Sequence, residues 1–380
     1  TYKCTTSGVS GQASLMVVVG NTWNKVEGDR QIENNSVVTY RDYTSGDFVI
    51  GPENAFGGSS TYVSMSSGNW SDAIWSNDGG KNFISGNQIS TSDKVIISAG
   101  HEVIANTAIN ANNIYISRDG DNVGTLVARS ENGSIGSISG NGRLQFDMLY
   151  GYAVYNNTDY TEFGKQKEAE IVFNLSGNVQ VWNYLGINEI PNLTITGNGS
   201  FSSQLNEEIK INGDYRIEVY SNLTLNYGRN MYVGGSLIIG EGVVLNVALN
   251  KSAVTILGDI KNSGTIRQAE NHYGQASKYN IGGSIENNGT IYLPKDLVVL
   301  DGNSGTSEKD CRIYGTSNEF GKTFFGYFSV AKDFEECRVK VEIPVGDVNG
   351  VSKVELVKGK LHLAYANNVK TIYKAHESYY

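Results

Sequence analysis

The chain reads as an all-β protein, a right-handed parallel β-helix with β-rich flanking segments, on three observations. A nine-residue stretch, GDIKNSGTI at 258–266, returns as GSIENNGTI at 283–291. The glycine that opens it recurs upstream, so that Gly213, Gly235, Gly258 and Gly283 stand 22, 23 and 25 residues apart. Between these glycines, short runs alternate apolar with polar residues, the period of a half-buried strand, while helical periodicity is nearly absent.

A unit of 22–25 residues is too short to bury a hydrophobic face alone. It is the length of one solenoid coil, three short strands at about 3.3 Å per residue with three turns. Right-handedness is the general rule for parallel crossovers. Aligning the four glycines places Tyr215, Leu237, Ile260 and Ile285 in one inward column. The next column, Arg216, Ile238, Lys261 and Glu286, faces outward and sets Lys261 against Glu286. Asn262 and Asn287 become neighbours, as a stacked amide ladder at a bend requires.

In chain order, residues 1–60 lack the coil spacing and read as an N-terminal cap or the end of a preceding module, with SLMVVVG at 14–20 a buried strand. Residues 61–300 form the parallel β-helix. Its strands are KVIISAG (94–100), NIYIS (113–117), NLTITG (192–197), NLTLN (222–226), SLIIG (236–240), AVTIL (253–257) and TIYL (290–293). EFGKQKEAE (162–170) is the best helix candidate, at one or two turns. Residues 301–380, strand-rich but more charged and aromatic, read as a C-terminal cap or domain, because a stack needs its open strand edges covered.

Composition narrows the function. The chain has 380 residues, 45 Gly against 4 Pro, 18% charged residues and 39% hydrophobic ones, so it is turn-rich and can bury a large core. A net charge of −9, with no Lys/Arg cluster, argues against nucleic acid as a partner. No apolar run is long enough to span a membrane as a helix. The chain opens on Thr1 rather than Met, as a mature product without its signal would. Cys311 and Cys337 are a candidate disulfide in an oxidising compartment, with Cys4 left over. Ten Asn-x-Ser/Thr sequons are expected mainly from the abundance of turn residues.

The stretch 61–117 adds a family likeness. It carries Gly68-Asn69-Trp70-Ser71-Asp72, then Trp75, then Asp93-Lys94-Val95-Ile96-Ile97 and Gly100-His101-Glu102-Val103. This resembles the opening of β-helical repeat regions in secreted and cell-surface proteins of Bacteroidota, and the style extends over roughly 61–300. ISTSD stands where the family has a Pro before the Asp-x-Val strand, and no C-terminal sorting domain is recognisable before Tyr380. The resemblance implies export by the type IX route, a cell-surface location and an adhesin or surface-layer role. Trp70 and Trp75 are expected to plug the apolar end of the first coil, the alternative being a sugar-binding platform.

The same columns carry the candidate chemistry. The residues after each glycine are Asp214, Ser236, Asp259 and Ser284, which sets Asp214 and Asp259 two coils apart. That separation, about 9–10 Å, nears the upper end of an inverting glycosidase pair, whereas a lyase needs several carboxylates around Ca²⁺ beside a Lys or Arg base, for which Lys261 is the candidate, and no third acid joins the column. Asp after Gly is equally an ordinary turn residue. Asp119 and Asp121 in RDGDNVG alternate like part of a calcium loop but lack its distal Glu. No nucleophile elbow, phosphate loop or dinucleotide fingerprint is present, and no cofactor is expected.

The expectation is a non-catalytic secreted or cell-surface solenoid, an adhesin or part of an extracellular fibre, whose partners are a surface glycan or protein or further chains of the assembly. The rival is a polysaccharide lyase or glycoside hydrolase on the same fold using Asp214, Asp259 and Lys261. A third reading is a rigid spacer.

Overall fold

The computed structural model describes residues 59–129, 133–148, 158–181, 190–204, 209–218, 222–226, 230–248, 253–268, 277–305, 310–346 and 353–364. It also describes the backbone of six strands before residue 53. Those six strands form two antiparallel three-stranded sheets. Tyr2–Thr5 and Arg30–Glu33 flank Ser36–Thr39, with Cys4 opposite Val37, and Thr22–Lys25 and Phe48–Pro52 flank Ala13–Val19.

From Thr61 onward the pairing changes to long parallel ladders, a solenoid-like stack in an almost entirely β chain. The early coils carry a separate parallel ladder, Thr61–Ser64, Lys94–Ile97, Ile109–Ile116 and Gly133–Gly140, and the remaining parallel strands recur on three sheets. Sheet I runs from Gly68–Asn69 through Glu102–Ala105, Thr125–Ala128 and Arg143–Met148 to Tyr215–Ile217, Leu237–Ile239, Ile260–Asn262, Ile285–Asn287, Cys311–Tyr314, Arg338–Val341 and Lys360–Leu363. The opening residues of Glu170–Val181 and Asn192–Gln204 supply its intermediate rungs. Sheet II contains Asn222–Asn226, Val244–Ala248, Thr265–Gln268 and the starts of Thr290–Gly302 and Thr323–Lys332. Sheet III contains Ile209–Ile211, Met231–Val233, Ala253–Ile256, Lys278–Ile281, the ends of Thr290–Gly302 and Thr323–Lys332, and Lys353–Lys358.

One inward column on sheet I passes without interruption through Val103, Leu126, Leu144, Ile171, Leu193, Tyr215, Leu237, Ile260, Ile285, Ile313, Val341 and Leu363. All but Leu363 are buried. The strand period of two therefore sets the core: every second residue stacks on its equivalent one rung, about 4.8 Å, away. Fully burying each such side chain contributes about 1.5–3 kcal/mol, so the column acts as a continuous spine. On sheet III the inward column Met231, Val254, Tyr279, Val298, Phe328 and Val354 does the same.

The four-residue column read from the glycine spacing is thus part of a longer one, and the outward register Arg216–Ile238–Lys261–Glu286 is also found. Asn262 and Asn287 are paired and buried, and the Asn262 Nδ2 donates to Asn287 Oδ1 at 2.8 Å. Asn287 Nδ2 in turn donates to Thr323 Oγ1 at 2.7 Å and to the Lys322 carbonyl at 3.1 Å. Helix among the described residues is limited to one α turn, Thr161–Gly164, and one 3₁₀ turn, Gly86–Gln88.

Two expectations need correction. The stack does not stop at residue 300; its ladders continue to Lys353–Lys358 and Lys360–Leu363, so this part of the C-terminal segment is more solenoid. The coil length rises there from 22–25 to 28 residues, which hides the period in the sequence. The second concerns Cys311 and Cys337, which are free, buried thiols. Cys311 is in register with Val339, two positions away from Cys337, and its Sγ lies 3.0 Å from the Gly283 carbonyl, while Cys337 Sγ lies 3.8 Å from that of Asn303.

At the N-terminal end, the ladder edge is covered by the chain itself. Trp75–Ser76 pairs antiparallel with Thr61–Ser64, whose other side pairs parallel with Lys94–Ile97. An antiparallel return satisfies strand groups that would otherwise template another chain.

Candidate functional site

The carboxylates singled out by the glycine repeat lie on a polar column at the entry to sheet I. Asn192 Oδ1 accepts the Asp214 N–H at 2.8 Å, and Asp214 Oδ1 accepts the Ser236 N–H at 2.7 Å. Ser236 Oγ accepts the Asp259 N–H at 3.1 Å, Asp259 Oδ1 accepts the Ser284 N–H at 2.7 Å, and Ser284 Oγ accepts the Arg312 N–H at 3.0 Å. Each side chain holds the backbone of the next coil.

The same column explains the repeated glycine. A Cβ at Gly213 would fall 2.0 Å from Asn192 Oδ1, at Gly235 2.3 Å from Asp214 Oδ1, and at Gly283 2.3 Å from Asp259 Oδ1. The acceptor of one coil leans over the glycine of the next to reach the following N–H. Gly-Asp and Gly-Ser therefore repeat because packing and hydrogen bonding need both partners together.

Lys261 is exposed. It sits opposite Glu286 in register, and Glu286 also takes hydrogen bonds from Asn288 Nδ2 at 3.0 Å and the Tyr314 hydroxyl at 3.2 Å. Burial, together with the Glu286 carboxylate, raises the Tyr314 hydroxyl above the usual phenol range. The Arg312 guanidinium lies 4.2 Å from the Tyr314 ring centroid and pairs with Glu342, whose carboxyl that bond holds below its ordinary range.

Asp119 and Asp121 flank Gly120, at φ 56°, in the turn of a small hairpin pairing Arg118–Asp119 with Asn122–Val123. Among the described residues, no three His, Cys, Asp or Glu side chains gather as a metal site would require. Trp70 and Trp75 are both fully buried in the core at the N-terminal rungs, with ring centroids 4.8 Å apart and the Trp75 Nε1 donating to the Trp70 carbonyl at 3.1 Å. Neither ring has a face open to a sugar. The sequon residue Asn192 donates at 2.8 Å to both the Lys167 and Ala169 carbonyls, in keeping with a structural role.

Sequence reasoning missed two features. Lys332 occupies an inward position and is 2% exposed. Its Nζ donates at 2.6 Å to the Asp301 carbonyl and to Ser304 Oγ, tying a turn to the coil above. Nothing in FSVAK marks that lysine as internal. The second is an open recess of about 520 Å³ at the corner between sheets I and II, lined by residues from 242–244 to Lys322. It arises from unequal corner lengths in successive coils, which no single repeat reveals.

Comparison of the chain with protein-family models, with curated proteins and with solved structures finds no significant match.

Proposed function

We propose that this chain is a non-catalytic extracellular rod, a right-handed parallel β-helix that serves as an adhesin or as a structural part of a surface fibre. The handedness rests on the rule for parallel crossovers. The secreted, cell-surface setting, and type IX export in Bacteroidota, rest on the resemblance carried by Gly68–Asp72, Trp75 and the Asp93–Ile97 strand.

The observation that supports the non-catalytic part is the polar column itself: Asp214 and Asp259 are engaged by neighbouring-coil N–H groups at 2.7 Å. A lyase needs carboxylates free to gather around Ca²⁺, and a glycosidase needs one free to move a proton. A rod needs them where they are, stiffening one coil against the next.

The test is to incubate the purified chain with acidic and neutral polysaccharides, with and without Ca²⁺, while measuring its adhesion to glycan-coated surfaces and whole cells. Adhesion without new reducing or unsaturated ends is expected. Cleavage that disappears in Asp214→Asn with Asp259→Asn would replace this reading with the enzyme, and neither adhesion nor cleavage would leave a spacer.

A further inference from the structure

The corner joining sheet I to sheet II takes four residues at 240–243, two at 263–264, two at 288–289 and eight at 315–322. Two minimal corners between longer ones leave the recess of about 520 Å³. Its lining includes the glycines of those corners, Gly242, Gly264 and Gly289. A Cβ at Gly264 would come within 2.4 Å of the Val243 carbonyl oxygen, and one at Gly289 within 1.9 Å of that of Gly264, so coil packing keeps these two positions without side chains, while Ser263, Thr265, Asn288 and Thr290 add hydroxyl and amide groups beside them.

The eight-residue wall is fastened down. Thr316 donates its N–H and its hydroxyl to Asn288 Oδ1 at 3.0 and 3.2 Å, and Ser317 Oγ donates to the Gly289 carbonyl at 2.6 Å. The Gly321 N–H donates to the Gly346 carbonyl at 2.7 Å. On this fixed wall Asn318, Glu319 and Lys322 are exposed, and their side chains make no hydrogen bond or ion pair among the described residues. That is the reverse of the Asn192–Ser284 column, where each polar side chain is used by a neighbouring coil.

The free groups comprise donors and acceptors whose formal charges cancel. On the sheet II flank, Arg267 and Tyr292 are register partners. They lie two residues beyond the lining residues Thr265 and Thr290 and are engaged within the sheet, Arg267 Nε donating to Asn246 Oδ1 at 2.7 Å and the Tyr292 ring standing 5.4 Å from that of Phe324. A recess lined by uncharged hydroxyl and amide groups, with a fastened wall whose two charges cancel, matches a hydroxyl-rich, uncharged ligand better than a polyanion or a basic peptide. From the Gly242 corner to the 315–322 wall is three coil steps, about 14 Å.

We propose that this corner recess binds a neutral oligosaccharide lying along the stack, held by Asn318, Glu319 and Lys322. The inference rests on the adhesin reading and names its contact site.

The experiment presents the purified chain to arrays of neutral, uronic and sulfated linear oligosaccharides and to a peptide library, with titration calorimetry on the best neutral tetrasaccharide. Two variants are compared with the parent: Glu319→Ala with Lys322→Ala, and Thr290→Trp, which fills the recess from an outward position. Lys94→Ala with Glu102→Ala, exposed positions on early rungs, is the control. The parent is expected to bind neutral oligosaccharides, both recess variants to lose affinity by about tenfold or more, and the control to stay within about twofold, all with unchanged circular dichroism. Equal binding by the recess variants, or binding to charged sugars or peptides alone, overturns the proposal. If the recess variants still adhere to cells as the parent does, the site is wrong and the adhesin reading stands. If the parent binds no surface and no sugar, both fall.

Discussion

The coils between Ile209 and Ile291 and those between Cys311 and Leu363 share one architecture but use their polar side chains differently. In the first group coils run 22–25 residues, and Asp214, Ser236, Asp259 and Ser284 all accept a backbone N–H from the next coil. In the second, coil length reaches 28, and side chains pair with one another: Arg312 with Glu342, Arg338 with Asp310. A strict period requires each column to do one job in every coil. Where a corner lengthens, that requirement lapses and side chains such as Asn318, Glu319 and Lys322 become available for contact.

The contrast orders the effects of substitution. The largest belongs to the core spine of the regular coils: Ile260→Ala should cost about 2–5 kcal/mol in denaturant unfolding, because its neighbours Leu237 and Ile285 are held by their own ladders and cannot close the cavity. Gly283→Ala should approach that value, since its Cβ would meet Asp259 Oδ1 at 2.3 Å and the Gly258 carbonyl oxygen at 2.5 Å. A loss below about 1 kcal/mol in either would mean that the coils slide past one another easily.

Next comes the internal amide ladder. Asn287→Ala removes the acceptor of Asn262 and a donor to Thr323, leaving buried polar groups unpaired, so about 1–3 kcal/mol is expected by the same measurement. In the longer coils the effect should shrink. Arg312→Ala breaks a pair whose side chains are 39% and 22% exposed, and should cost no more than about 1 kcal/mol, with most of it gone in high salt. A cost equal to that of Asn287→Ala would erase the distinction between the two regions.

The smallest effect is in acid. Burial pushes the Asp147 carboxyl up, but hydrogen bonds from Asn174, Arg129 and Gln145 outweigh it and hold the folded pKa below the ordinary value. A depressed folded pKa gives stability that is present above the unfolded pKa of about 3.9 and is lost as pH falls through the lower folded value. Asp147→Asn keeps acceptors for Asn174 and Gln145 and should flatten that part of the acid unfolding curve. An unchanged curve would remove Asp147 from the acid response.

Much of this was legible in the residues. The glycine spacing located consecutive coils, the period of two picked out Tyr215, Leu237, Ile260 and Ile285 as core, and the Asn262–Asn287 equivalence gave the internal ladder. The role of Asp214 and Asp259 was not legible, because a carboxylate that binds the next coil and one that binds a substrate occupy the same column. The continuation past residue 300 was hidden by the 315–322 corner, which stretches the coil and breaks the visual repeat. The inward position of Lys332 was not legible, because strand phase is hard to count through a run as long as Thr323–Lys332. The recess was invisible for a related reason: it is a difference between corners.

Hydrogen exchange at the Ser236 and Ser284 amides, in the parent chain and in Asp214→Ala and Asp259→Ala, tests the central claim most directly. If the carboxylates are coil-to-coil acceptors, Asp214→Ala should speed exchange at Ser236 and Asp259→Ala at Ser284, each by about tenfold and each leaving the other amide nearly unchanged. Exchange that stays at the parent rate in both variants would show that the next coil does not depend on these side chains, and would return them to the list of groups free for chemistry.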